Sequence, residues 1–405
     1  MAYDQAIGCS SRSSGATDGS RPVSTVRARV LVLTFTHFAQ EPRALKQVRY
    51  LREAHDVTTA GFGPAPFVDV PHIEIPEVAP QRWGLLGRLL NIGLLVLHWY
   101  APLVLISALD LVAARLLKDR SWDVVIAHDL KALDASLALK PRHGVILDLH
   151  EYAPRQEEHS FLWSLLIAPY FRWMCRTKVK QSAAIVTVSQ GIAEEYKRVF
   201  DIDSTLVVNA TPYHDMSVGP VSAPLRLVHS GGIAVQRRLD IMIEGVRRSS
   251  ADVILDLYLV GGDPALAAEL KALAADDSRI RFRDPVPYKD LIKVLNDYDV
   301  GLSIFPPTTF NLAWCLPNKF FDFVQARLGV IVGPSPEMAR FVEEYGIGLV
   351  LPDFEPASLA ASLDALSAER VSAWKVASDT HAAALSSESQ AKTWGELMSR
   401  VLAVK

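Results

Sequence analysis

Two doubly wound α/β domains, each on a parallel sheet and joined by a linker, are what this chain predicts, and three observations carry that expectation. Short β-rich runs alternate with helical stretches from residue 27 onward. The alternation stops after Asn209, crosses a Pro- and Ser-bearing segment at 211–224, and then starts again. With 405 residues and a hydrophobic content of 50%, the chain is long enough for about two to three domains and apolar enough to give each a core.

The elements follow in order. Residues 1–25 are rich in Ser, Gly and Arg without an apolar segment, so they read as a disordered leader and not as a signal peptide. The first domain, 26–215, has strand candidates at 30–35, 57–62, 124–127, 145–149 and 185–189. Between the second and third lies the run 92–109, in which only His98 and Ser107 are clearly polar. A membrane-spanning helix needs about 20 such residues, but strands of one sheet on both sides rule out a single crossing. Two crossings need about 40 apolar residues, whereas the stretch 83–117 is too short and holds Arg88, Asp110 and Arg115. It is expected as a helical hairpin broken at Pro102, either covering the sheet or dipping into a membrane interface. Residues 161–180 combine Trp163, Tyr170, Phe171 and Trp173 with Arg172, Arg176, Lys178 and Lys180, which suits the same interface or a core-covering helix with a basic face. The second domain, 216–385, resumes with strands at 225–229, 255–260, 280–282, 300–305 and 330–332. Within the last segment, 386–405, a helix from about residue 390 to 404 is placed to pack back on either half.

Charge and cysteine content narrow the function. A net charge of −3, from 42 basic and 45 acidic residues, and the absence of a long basic run argue against nucleic acid, so an anionic ligand has to be held locally. Cys9, Cys175 and Cys315 are too few and too scattered for a disulfide framework or a zinc motif. A reducing, cytoplasmic setting is expected, with peripheral contact on the inner face of the cell membrane left open by the apolar hairpin.

Open parallel sheets bind ligands outside the carboxyl ends of their strands. The residues just past the predicted strands are His37 to Arg43, His128-Asp129, His150-Glu151, Ser230-Gly231-Gly232 and Gly261-Gly262-Asp263. From Glu41-Pro42-Arg43, backbone and side chain could reach a diphosphate held by the opposing domain. The strongest local signal is LPNKFFD at 316–322. Pro317 and Asn318 mark a helix start with Asn318 as candidate N-cap, while Phe321, Val324 and Leu328 recur at the spacing of a buried helix face. A helix start offers free N–H groups to an anion, Lys319 adds charge, and Asp322 one turn on can accept hydrogen bonds from sugar hydroxyls. Phosphate plus sugar is the implied ligand. Thr36-His37-Phe38 stand where a nicotinamide dehydrogenase would carry Gly-x-Gly-x-x-Gly. His and carboxylate pairs among Asp129, His150 and Glu151 have the chemistry to hold a divalent cation.

Together these segments resemble the retaining glycosyltransferases of the two-domain GT-B fold, in the family 4 group, across nearly all of 26–404. The resemblance rests on HSGGIAVQRRLDIMIEGV, LYLVGGDP, RFRDPVPYKDL and LPNKFFDFVQARLGVIVGPSPEM in the second domain, and on VVIAHDLKALDASLA, LDLHEYAP, SAAIVTVSQGIAEEY and VVNATP before it. It implies two Rossmann-like domains facing across a cleft. On the donor side it sets Gly231, Gly232, Arg237, Lys319 and Asn318 against the diphosphate, Gly261 in a Gly-rich turn, Val286 in a segment whose backbone faces the base, and Asp322 on the ribose. On the other side it gives His128 a contact to the donor sugar or a part in acceptor positioning, and Asp129, His150 and Glu151 a place with the acceptor or in stabilising the cleft. It further implies a UDP- or GDP-sugar donor, a saccharide or lipid-linked acceptor, retention of configuration, no cofactor and no metal.

Three departures stand out. Trp314, eight residues before Asp322, occupies the position of a family acid; Asp322 is Asp where Glu is usual; and Arg327 and Gly329 fall where many members have Gly and Pro. Trp314 keeps open a non-catalytic GT-B partner protein. A nucleotide-sugar 2-epimerase of similar architecture is the other alternative, and the apolar hairpin speaks against it.

Overall fold

A computed structural model describes residues 27–77, 84–106 and 108–403. The leader expected at 1–25, residue 83 of the hairpin and the last residues of the chain lie outside that range.

Both domains are open parallel sheets. The first has seven strands, β1 (Arg29–His37), β2 (Asp56–Phe62), β3 (His72–Glu74), β4 (Val124–His128), β5 (Val145–Leu149), β6 (Ala184–Thr187) and β7 (Thr205–Leu206), in the order β3-β2-β1-β4-β5-β6-β7. The second has six, β8 (Leu225–Gly232), β9 (Val253–Val260), β10 (Ile280–Arg283), β11 (Val300–Ser303), β12 (Gly329–Val332) and β13 (Gly348–Val350), in the order β10-β9-β8-β11-β12-β13. In each sheet the order reverses direction once, between β1 and β4 and between β8 and β11. Those switch points open the crevices where ligands bind.

The apolar runs form central strands because both faces are covered. On β1, Val30 and Val32 pack into a core shared with the helix Pro42–Ala54, while Leu31 and Leu33 pack into the core on the opposite face. The register pairs Val30 with Val124 and His128 with Asp148, which sets the functional strand ends side by side. The C-terminal helix Ser387–Ala403 returns to the first domain, burying Trp394, Leu397, Met398 and Val401 in the core of Val30, Val48 and Leu51.

Several local expectations are corrected. The strands β3, β7 and β13 have two or three residues each and sit at sheet edges, too short to leave a periodic signal. Strand β8 continues through Gly231 and Gly232, because Ser230, Gly231 and Gly232 keep pairing with β9 where a loop was expected. The hairpin is three helices, Gly84–Val96, Tyr100–Ile106 and Ala108–Leu117. Its first break falls at His98, with φ of 55°, while Pro102 sits in the first turn of the second helix, where a missing N–H costs nothing. Pro317, extended at φ −71° and ψ 147°, is the N-cap of the helix Asn318–Gln325, so Asn318 is its first helical residue and makes no side-chain cap. Among the described residues, no helix is long and apolar enough to cross a membrane.

Candidate functional site

The second domain builds one wall of the site at the ends of β8 and β11. Strand β8 ends at Gly232, one residue past Gly231 at φ 149°, and a short turn brings Arg237 over the ring of buried Phe305, with Cζ 4.8 Å from the ring centre. Arg237 Nη1 is buried with no hydrogen-bond partner among the described residues. Arg238, in left-handed backbone at φ 42°, turns away and pairs with Asp240 at 2.7 Å. Lys319 enters from the start of the helix Asn318–Gln325. Its Nζ lies 3.1 Å from His229 Nε2, and a Cβ on Gly231 would stand 2.5 Å from it. Burial, reinforced by the Arg237 charge, pulls the Lys319 ammonium down to about 7. One turn on, Asp322 is 3% exposed and accepts hydrogen bonds at Oδ1 from the Thr211 and Tyr288 hydroxyls, at 2.6 and 3.2 Å. Burial raises its carboxyl to about 6 against those bonds and the charges of Lys46 and Lys319. Gly261, at φ 59°, follows β9 with open space beside it, Val286 is half-buried in the loop after β10, and Asn318 is half-buried at the helix start.

The first domain builds the other wall, and here two expectations change. Arg43 was expected to reach the diphosphate. Its guanidinium instead donates from Nε and Nη2 to both oxygens of Asp148, at 2.8 and 2.7 Å, and from Nη1 to the Val207 carbonyl. Both partners are almost wholly buried, so the pair ties the helix Pro42–Ala54 to β5. His128 was expected beside the donor sugar. It is 2% exposed, with Nε2 2.9 Å from Gln47 Oε1 and Nδ1 2.9 Å from His150 Nε2. Burial depresses its pKa to about 3, so the ring is neutral: Nε2–H donates to Gln47, and Nδ1 accepts from His150. Both nitrogens are taken, and the partly exposed His150 holds the more open position. Asp129, at φ 64°, accepts weakly from the His150 amide at 3.4 Å. The Glu151 carboxyl is pushed up by burial and by the neighbouring Asp129 charge.

His128, Asp148 and His150 place ligand-type atoms within 4.8 Å of one another, a cluster the sequence had not grouped. Both Asp148 oxygens and both His128 nitrogens already carry hydrogen bonds within the protein, and Arg43 supplies the balancing charge. A cation would have to displace that arginine.

The walls meet through the segment before the helix Asn318–Gln325 and through the helix Pro336–Tyr345. Asn311 accepts from the Tyr152 amide at 2.8 Å, Arg155 lies over the Phe310 ring, and Glu337 accepts from the amides of Gln190 and Gly191 at the start of the helix Gln190–Phe200. Trp314 packs so closely on Gly191 that a Cβ there would fall 1.9 Å from its ring. The side chain standing at the family acid's position is therefore a domain contact. The Cys315 thiol, raised to about 11 by burial, feels Arg237 and Lys319 from one domain and Glu151 from the other.

Sequence reasoning missed His229, Thr211 and Tyr288. His229 reads as an ordinary position of a strand, and the two hydroxyls come from 111 and 34 residues away from Asp322. The one local hint is that His229 and Gly231 stand two residues apart on one strand and so share a face.

Comparison with known proteins agrees with this architecture. Residues 40–210 match the family model described as Glycosyltransferase Family 4. No curated protein matches the chain. Similar solved structures include a glycosyltransferase from Rickettsia africae, at 13% identity and TM-score 0.68, covering 94% of this chain and 100% of that one. The Anabaena protein HepE, solved with UDP and glucose, shares 14% identity at TM-score 0.64 over 92% of this chain and 100% of its own. WaaG, a glycosyltransferase involved in lipopolysaccharide biosynthesis, shares 12% at TM-score 0.62, covering 91% and 99%. The chain thus has the GT-B glycosyltransferase fold, two parallel-sheet α/β domains facing across a cleft, with a first domain that matches Glycosyltransferase Family 4.

Proposed function

We propose that this protein transfers a sugar from a nucleoside-diphosphate sugar to a glycan or lipid-linked acceptor, with retention and without a metal, in the synthesis of a cell-surface polysaccharide or glycolipid. The observation that carries the reading is the buried Arg237 Nη1, without a hydrogen-bond partner among the described residues, beside the half-buried Lys319 at the switch point of the second sheet. Two neighbouring cations partly withdrawn from water, with Asp322 as the nearby carboxylate, are costly unless a further anion completes them. As the bond from sugar C1 to the diphosphate oxygen breaks, negative charge grows on the leaving group. Arg237, Lys319 and the backbone N–H groups at Gly231 and Gly232 are the donors that stabilise it. Asp322 takes the ribose hydroxyls in place of Thr211 and Tyr288, and the loop bearing Val286 faces the base. HepE was solved with UDP and glucose, which supports a uridine nucleotide here.

The decisive experiment is thermal unfolding with UDP, GDP, ADP and NAD, followed by donor turnover with and without EDTA. A diphosphate at a hundred times its Kd adds about 2.7 kcal/mol. Stabilisation by one diphosphate and EDTA-insensitive turnover are expected; no response to any diphosphate would defeat the reading. The packing of Trp314 on Gly191 favours one alternative, a non-catalytic partner protein, and donor turnover by the purified chain would eliminate it.

A membrane-bound acceptor has its own support. Leu89, Leu90, Ile92, Val96, Leu97 and Trp99 are exposed, as are Phe161, Leu162 and Leu165 on the helix Phe161–Thr177, with Arg172 and Arg176 on the same helix. Exposed apolar side chains in this number mark an interaction surface, and flanking arginines favour an anionic one. Binding to vesicles containing phosphatidylglycerol is expected, and to fall when Leu90 and Leu162 are both changed to Glu. Unchanged vesicle binding in that variant would remove the membrane from the proposal.

A further inference from the structure

Lys319 is the most constrained cation of the donor wall, and the side chain that constrains it is His229. This histidine lies on β8 two residues before Gly231 and is 1% exposed. Its Nδ1 is 2.8 Å from the Leu302 carbonyl oxygen on β11. A carbonyl only accepts, so Nδ1 carries the proton. Burial holds the ring neutral, with the Lys319 charge adding to the effect, which leaves Nε2 as a lone pair. That lone pair faces Lys319 Nζ at 3.1 Å. The remaining surroundings of the ammonium are Gly231 on β8, Arg237 on the turn that follows, Cys315 on the loop before its helix, and Asp322 one turn along the helix. Gly231 has no side chain to fill the space beside Nζ. Arg237 repels the charge, Asp322 attracts it, and His229 is the neutral acceptor in direct contact.

From this geometry we infer that His229 is the positioning residue of the diphosphate site: it accepts one N–H of Lys319, turns the other two toward the ligand, and couples donor binding to proton uptake by that lysine. The inference rests on the glycosyltransferase reading and deepens it. In the free protein the ammonium is disfavoured by burial and by Arg237. An arriving diphosphate supplies the missing counter-charge, so a lysine that was neutral takes a proton from solvent as the anion binds. The contact with Leu302 selects the tautomer that leaves the Nε2 lone pair free for the lysine, and burial disfavours the doubly protonated ring that would repel it.

The test is calorimetric titration of the whole protein with UDP and GDP in phosphate and in Tris, each near neutral and at about pH 8.5, for wild type, His229→Phe, His229→Gln and Lys319→Met. The enthalpy difference between buffers reports protons taken up. Wild type should take up more protons at the higher pH, where the free lysine, at about 7, is mostly neutral. Lys319→Met should abolish that uptake. His229→Phe, which keeps the ring volume without an acceptor, should bind roughly 10- to 100-fold more weakly and, having lost an acceptor that favours the ammonium, should take up more protons near neutral pH than wild type does. His229→Gln carries an amide oxygen near the Nε2 position and should recover most of the affinity. Wild-type affinity and pH profile in His229→Phe would overturn the inference while leaving the function intact. Equal weakness of the Phe and Gln variants with an unchanged pH profile would reduce His229 to a packing role and overturn it too. No diphosphate binding by the wild type would overturn the functional reading and this inference together.

Discussion

At the strand ends of the first domain, charges meet their complements inside the protein. Arg43 holds both oxygens of Asp148, and His128 has a partner on each ring nitrogen. At the matching strand ends of the second domain, Arg237 keeps an unpartnered nitrogen, Lys319 is dragged toward neutrality, and Asp322 is pushed toward protonation. The two walls use the same residue types in the same part of the same fold. The ion pair of the first wall is closed within the protein, with the buried Gln47 Nε2 left over, whereas the cations of the second wall are open to completion by a ligand, in keeping with the proposed donor side.

Substitutions test this contrast directly. The largest effect is expected at Arg43, where Arg43→Ala strands the buried Asp148 carboxylate and should cost about 3–5 kcal/mol in urea unfolding. Diphosphate affinity of the folded fraction should stay near wild type, and a large loss of affinity without loss of stability would break the comparison. Arg237→Ala is expected to do the reverse, lowering turnover by about 10²–10³-fold with little change in unfolding midpoint.

Asp322→Asn sharpens the contrast through pH. The folded carboxyl sits at about 6 against an ordinary 3.8, so its protonated form favours the fold. That stability is present below 3.8 and lost as pH rises through 6. Asn carries no charge at any pH, so the free variant should be more stable than wild type by up to about 3 kcal/mol in mildly alkaline buffer, while donor affinity falls. A destabilised variant at that pH would show that Asp322 is a structural acceptor like Asp148. The smallest effect is expected at Arg238→Ala, within about 0.5 kcal/mol of wild-type stability and with near-normal turnover, since Arg238 is exposed and paired with its neighbour Asp240. A turnover loss comparable to that of Arg237→Ala would mean that the two arginines exchange roles.

Much of this was legible from local pattern. The runs around Val30, Val124, Leu227 and Val300 became central strands because continuous apolar stretches bounded by turns suit a sheet buried on both faces. Lys319 and Asp322 could be grouped because one helical turn brings them together whatever surrounds them. The edge strands and the break at His98 were not legible: a two- or three-residue strand exists only if a neighbour pairs with it, and an isolated left-handed residue leaves no periodicity to read.

What the sequence determined by itself, then, was the pair of parallel sheets and which residues stand at the ends of their central strands, since these follow from chain-local periodicity and from the geometry of parallel sheets. Only the tertiary structure decided which of the strand-end residues remain free for a ligand. Arg43 finds Asp148 across 105 residues, His229 finds Lys319 across 90, and Thr211 finds Asp322 across 111. Such pairings, and the desolvation that shifts each group's proton affinity, depend on what the completed fold packs around a side chain, and no stretch of local sequence carries that information.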